Sequence, residues 1–173
     1  MNELDEVWTG MVDDALEKAR INGNGDVAEY LTLRATNDKI RTASVEWLFD
    51  SMLEIASFAN RNNASITIEN ENPHQFSFKN ANLVGSCVRF RQGVRCLTVE
   101  AGWTRTPSDG FMRGGALACA RISHFGISKH NAELLLIKTD DFPNWFSVDE
   151  NGKKDLFDSR HLNQHFQVFL GEQ

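Results

Sequence analysis

Hydrophobic periodicity changes once along this chain, and the change, at Asn60-Arg61-Asn62-Asn63, divides what the sequence can become. Before it, apolar residues recur at helical spacing. From Leu4 to Ala19 they fall at 4, 7, 8, 11, 15, 16 and 19, one stripe of a 3.6-residue helix. Asn22-Gly23-Asn24-Gly25 then supplies a stop. A second helix is expected from Thr36 or Asn37, because Ile40, Ala43, Trp47, Met52, Ile55, Ala56 and Ala59 keep the spacing, while Leu48, Phe49 and Leu53 widen the stripe. So broad an apolar face implies burial on more than one side. Between the two helices, Asp26–Ala35 alternates and fits a strand or a short helix, with strand favoured.

After residue 63 the period is two. Ser65–Glu69 and Gln75–Lys79 read as strands joined by a turn around Asn72-Pro73. Val84–Arg91 and Val94–Trp103 flank a Gln92-Gly93 hairpin, which sets Val88 opposite Leu97 and Phe90 opposite Arg95. In that pairing Val99, Ala101 and Trp103 lie on a core face, and Arg89, Arg91, Thr98 and Glu100 on a wet one. Ala116–Phe125 and Ala132–Thr139 follow as strands. Asn151-Gly152 then closes a hairpin with Asp149 opposite Lys154, and Asp158 or Ser159 caps a short final helix.

The expected fold is one α+β domain over residues 1–173, with a mainly helical part (1–63), a β-rich part (64–157) and a C-terminal helix (158–173). The helices pack on one face of a mostly antiparallel, twisted sheet of about six strands; a partly closed barrel with flanking helices is the alternative. With 173 residues and 41% hydrophobic content the chain can bury a core, which excludes disordered and fibrous classes. The longest strongly apolar run, Leu134–Ile137, is far short of the roughly 18 residues of a membrane span. The acidic opening MNELDEVW is not a secretory signal, and Cys87, Cys96 and Cys119 suit reduced thiols, so a cytoplasmic location is expected.

Charge is uneven. Residues 81–130 carry seven basic groups against two acidic ones, a local +5, although the whole chain is −6. Six of the seven are Arg, whose planar fork holds carboxylate or phosphate by paired hydrogen bonds. The leading expectation is therefore a non-enzymatic binding or regulatory protein that recognises an anionic partner: an acidic protein segment, a phosphate-bearing ligand or, less favoured, nucleic acid. Arg89, Arg91, Arg105 and Arg113 would supply the charge, and Trp103, Phe111 and Met112 the apolar contact. The competing account pairs these Arg residues with surplus acids, as soluble sheets commonly do at about 0–1 kcal/mol per pair. Phe111 and Met112 stand in a Gly-rich loop, Thr104–Gly115, where a large apolar pair is either a binding tip or tucked onto the core.

A second hypothesis is a small enzyme with its pocket at that loop, using His124 with Glu100 or Asp109 for proton transfer. A third is a homodimer joined through the acidic helices or the aromatic C-terminal stretch (Trp145, Phe146, Phe157, Phe166, Phe169). His161 and His165 share a helix face, but no Glu, Cys or further His stands at ligand spacing, so neither metal nor cofactor is expected. The Gly-rich loop lacks the Lys and the strand-to-helix setting of a phosphate loop.

Overall fold

A computed structural model describes residues 3–140 and 142–172, with side chains from residue 6 onward. It holds three helices and one seven-stranded antiparallel sheet in simple sequence order, β1 to β7. The protein is thus α+β with an open sheet, and among the described residues β1 and β7 are unpaired edges rather than a barrel seam. The chain divides into two compact units, Met1–Thr42 and Ala43–Gln173.

In the first unit, α1 (Glu3–Ile21) turns at Asn22-Gly23-Asn24 into the start of α2 (Gly25–Arg61). Trp8 joins them: its ring lies 4.6 Å beneath the Arg34 guanidinium and its Nε1 donates to Asp38 (3.4 Å). Over Asp26–Ala35, where the sequence favours a strand over a short helix, the chain is helix, continuous with the rest of α2. No Gly or Pro interrupts α2 after Gly25, and the hydroxyls of Thr32 and Thr36, strand-favouring residues, donate to the carbonyls of Ala28 and Thr32 one turn back.

The second unit begins within α2. Of the broad apolar face, Val45, Leu48, Phe49, Met52 and Ala56 are buried, whereas Trp47 and Phe58 remain 40% and 62% exposed. The expected burial on more than one side therefore does not occur. Asn60 clasps the chain leaving the helix, exchanging hydrogen bonds with both backbone groups of Ile66.

The strands are β1 (Thr67–Phe78), β2 (Ala81–Gln92), β3 (Arg95–Trp103), β4 (Ala118–His124), β5 (Ala132–Thr139), β6 (Phe142–Val148) and β7 (Lys154–Leu156). Where two strands were expected around Asn72-Pro73, β1 is continuous and absorbs the proline in a bulge between Glu71 and His74. The β2–β3 turn is Gly93-Val94, one residue later than expected, so Val88 faces Val99 and Phe90 faces Leu97. A register change of two keeps every side chain on its expected face. The last hairpin has a three-residue loop with Gly152 at φ 80°, so Lys154 pairs with Val148 rather than Asp149.

One face carries the main core. Val88, Phe90, Leu97, Val99, Ala101, Ile122 and Leu134 are buried there. Phe166 of α3 (Ser159–Leu170) meets Phe90 edge-on at 5.1 Å, and Trp145 donates to the Ser44 carbonyl of α2 (3.1 Å). Asp158 caps α3 as expected, accepting from the Arg160 amide. The other face is not simply wet. At the end of the sheet near the β1–β2 turn, Phe78, Ala81, Leu83, Ala116, Cys119 and Leu135 form a second buried cluster. β1 curls across this far face to β4 and β5: Arg121 donates to the Ser77 carbonyl (2.7 Å) and Lys79 pairs with Glu133 (2.9 Å).

Candidate functional site

Antiparallel register brings the sequence's basic middle against acids that lie outside it. Glu69 pairs with Arg89 and Glu71 with Cys87 across β1 and β2, so the far face holds alternating charges. Arg89 donates to Glu71 and Arg91 to Glu69, each at 3.0 Å. Arg121 donates to Glu100 (3.3 Å), and Arg95 reaches the Phe169 carbonyl at the end of α3 (3.4 Å). Arg105 stacks 4.1 Å over the buried Trp103 ring and donates to the Val84 carbonyl (3.4 Å).

The seven expected binding residues consequently do not form one surface. Arg89 and Arg91 stand toward the Gly93 end of β2, whereas Arg105 and Arg113 belong to the loop at the opposite end. Trp103 is core. The apolar pair of the loop is split: Met112 packs against the second cluster, and Phe111 is 92% exposed.

That loop is pinned from both sides. The Asp109 carboxylate accepts from the Arg105 and Thr106 amides (3.0 and 2.8 Å) and from the Thr106 hydroxyl (3.0 Å), bonds that hold its pKa below the ordinary value. Gly110, at φ 94°, lies so close to the β1–β2 turn that a Cβ there would sit 2.6 Å from the Asn80 carbonyl oxygen. Between these anchors and Met112, the chain holds Phe111 outward. Arg113 follows it, exposed, and the Lys154 ammonium comes within 3.7 Å of where a Gly114 Cβ would be. Exposed Phe142, at the start of β6, opens on the same end of the sheet.

The residues named for proton transfer do not meet. His124 lies on the main-core face, where its Nε2 hydrogen-bonds His165 Nδ1 (2.9 Å); Glu100 is on the far face, bound to His74 and Arg121. Burial lowers the pKa of both His124 and His165 to about 4, with neighbouring imidazoles adding to it. His161 turns instead to Asp158 (2.9 Å). Of the aromatic C-terminal stretch, Trp145, Phe157, Phe166 and Phe169 are buried in the core and Phe146 is half-buried.

A polar centre that the sequence reading missed lies on the far face. His74, buried, places Nε2 at 2.8 Å from Glu100 Oε1 and Nδ1 at 3.0 Å from Glu71 Oε1, the latter too bent for a good hydrogen bond. Cys87 is their neighbour, its thiol pushed up to about 11 by burial, which keeps it protonated and poorly nucleophilic. In sequence His74 fell within an assumed turn; the usable signal was that Glu69 and Glu71 share the parity of a strand facing Arg89 and Arg91.

Comparison with family models, curated proteins and solved structures finds no match to this chain. Among the described residues no helix is long and apolar enough to cross a membrane.

Proposed function

We propose that this is a non-enzymatic binding protein of the cytoplasm that holds an acidic protein segment at the Phe111 loop. The observation that carries the reading is a large aromatic side chain, 92% exposed, presented by a loop whose flanks are fixed by Asp109, Gly110 and Met112. An exposed Phe has no stabilising role in the free protein, and pre-organisation removes most of the ordering cost that binding otherwise carries. Buried aromatic anchors are the residues on which interfaces concentrate, each contributing about 2 kcal/mol or more. Arg113, two residues on, and Lys154, whose ammonium reaches Gly114, bring positive charge to the same loop, which favours a partner with carboxylates next to an apolar residue. The Arg89 and Arg91 ladder is secondary, since Glu69 and Glu71 already neutralise it. Three free cysteines favour a reducing compartment.

Peptide display on the immobilised protein tests this. Selected peptides are expected to combine Asp or Glu with an apolar anchor, and to be lost on the Phe111→Ser, Arg113→Glu variant. Selection of acid-free peptides, or selection indifferent to that variant, would count against it.

A second reading, self-association, is favoured by one observation in the first unit, where Val7, Met11, Tyr30 and Leu33 are about three-fifths exposed. It requires a sedimenting species larger than the 19.5 kDa monomer at micromolar concentration; a monomer there would dispose of it.

A further inference from the structure

We infer that His74, Cys87 and Glu100 form a site for a borderline-soft divalent cation of the Zn²⁺ kind, independent of the Phe111 loop. Their ligand atoms, Nε2, Sγ and a carboxylate oxygen, all lie within 4.8 Å of one another. Zn²⁺ ligands about 2.0–2.3 Å from the ion are roughly 3–4 Å apart, so side-chain adjustment of about an ångström closes the set. One nitrogen, one thiolate and one carboxylate suit Zn²⁺, whereas Ca²⁺ and Mg²⁺ require oxygen-rich shells.

The surroundings are arranged as a metal site needs. The three residues stand on adjacent strands at the centre of β1–β3, where Glu71, Cys87 and Glu100 are in direct register. The bulge after Glu71 brings His74 to the same face, in register with Gly85, whose missing side chain lets β3 approach closely beside the imidazole. Phe76 stacks on that ring at 5.7 Å, fixing its plane. Behind the ligands, the Glu71 carboxylate stands 3.0 Å from His74 Nδ1, which has no well-aligned hydrogen-bond partner, so a turn of that carboxylate would complete the carboxylate–histidine arrangement that orients a metal-bound imidazole. Arg89 holds Glu71 and Arg121 holds the distal oxygen of Glu100.

Charge is balanced as well. Two carboxylates, of Glu71 and Glu100, flank the His74 ring at 3.0 and 2.8 Å and supply the negative charge that a cation needs. A divalent ion bound by the Cys87 thiolate sends that thiol's proton to solvent, and the Glu71 and Glu100 carboxylates offset the Arg89 and Arg121 guanidinium groups. Three protein ligands leave a fourth position for water or an external group.

Co²⁺ alone is the first probe. Added to the metal-free protein, it is expected to give the visible bands of a tetrahedral ion with a thiolate-to-metal charge-transfer band. Zn²⁺ should displace it; Cys87→Ser should abolish the charge-transfer band, while Cys96→Ser and Cys119→Ser keep it. Because Cys87→Ser introduces a hydroxyl into a buried position, X-ray absorption of the wild-type protein with one equivalent of Zn²⁺ is the second test, expected to show one sulfur among nitrogen and oxygen neighbours. No tetrahedral spectrum, a charge-transfer band that survives in folded Cys87→Ser, or a shell without sulfur would overturn the assignment.

Discussion

Gly85→Ala is expected to destabilise the protein by about 4 kcal/mol or more, a large part of the roughly 5–15 kcal/mol that holds a domain folded. A Cβ at this position would lie 1.9 Å from the Ala101 carbonyl oxygen and 2.6 Å from Gly102 Cα. Both are backbone atoms, so no rotamer relieves the clash and β2 must part from β3 at the middle of the sheet. Gly102 is its counterpart, with a Cβ meeting the Val84 carbonyl oxygen at 2.7 Å. This close approach of two strands lies beside His74, Cys87 and Glu100, which ties the polar centre's geometry to a pair of missing side chains. Denaturant unfolding followed by circular dichroism measures the loss. Gly10→Ala in α1, with nothing within 4 Å, is the contrasting case and should stabilise by up to about 1 kcal/mol. If Gly85→Ala unfolds like wild type, the strand packing described here is wrong.

The second large effect is acid sensitivity. His124 and His165 have folded pKa values lowered from 6.5 to about 4, so in the unfolded chain they bind protons at a pH where the native pair does not. Their hydrogen bond also needs one ring as acceptor, which a doubly protonated pair cannot supply. The stability they support is complete above pH 6.5 and is lost as pH falls toward 4, on the order of 4 kcal/mol for the pair. His130, His161 and Phe157 surround the pair, and the nearby Asp158 carboxylate is engaged by His161 and Arg160. His74 has the opposite sign. Its pKa is raised against the desolvation of its buried ring by the Glu71 and Glu100 carboxylates, 3.0 and 2.8 Å from its two nitrogens, so its contribution is complete below pH 6.5 and is lost only as pH rises through the raised value. Urea midpoints measured from pH 7 to 4.5 should fall steeply in wild type and flatten in His124→Leu, His165→Leu. Equal slopes would show that the pair is not the acid-sensitive element.

Much of this fold is legible in the sequence because local patterns and tertiary packing agree. The change of period after Asn63, the β2–β3 face assignment and the Asp158 cap all rest on spacing that packing reinforces. The failures have physical causes. Thr32 and Thr36 favour strands on their own, yet helical carbonyls satisfy their hydroxyls. Pro73 reads as a turn, yet an edge strand can carry it because the neighbour on one side is missing. Charge was the least legible property. A +5 stretch is basic only along the chain, and register folds Glu69 and Glu71 against Arg89 and Arg91, so that sequence segregation becomes spatial pairing. Of the candidate binding residues, Phe111, Arg113 and Arg91 are exposed, but Arg91 is already paired with Glu69, which leaves the two loop residues.

The most direct test compares two variants for an acidic peptide chosen by display, at one salt concentration. Phe111→Ser with Arg113→Glu should weaken binding by about 30-fold, the equivalent of a lost aromatic anchor, while Arg89→Ala with Arg91→Ala changes it by no more than about threefold. Binding that survives the loop variant and disappears with the paired arginines would contradict the Phe111 loop as the contact surface.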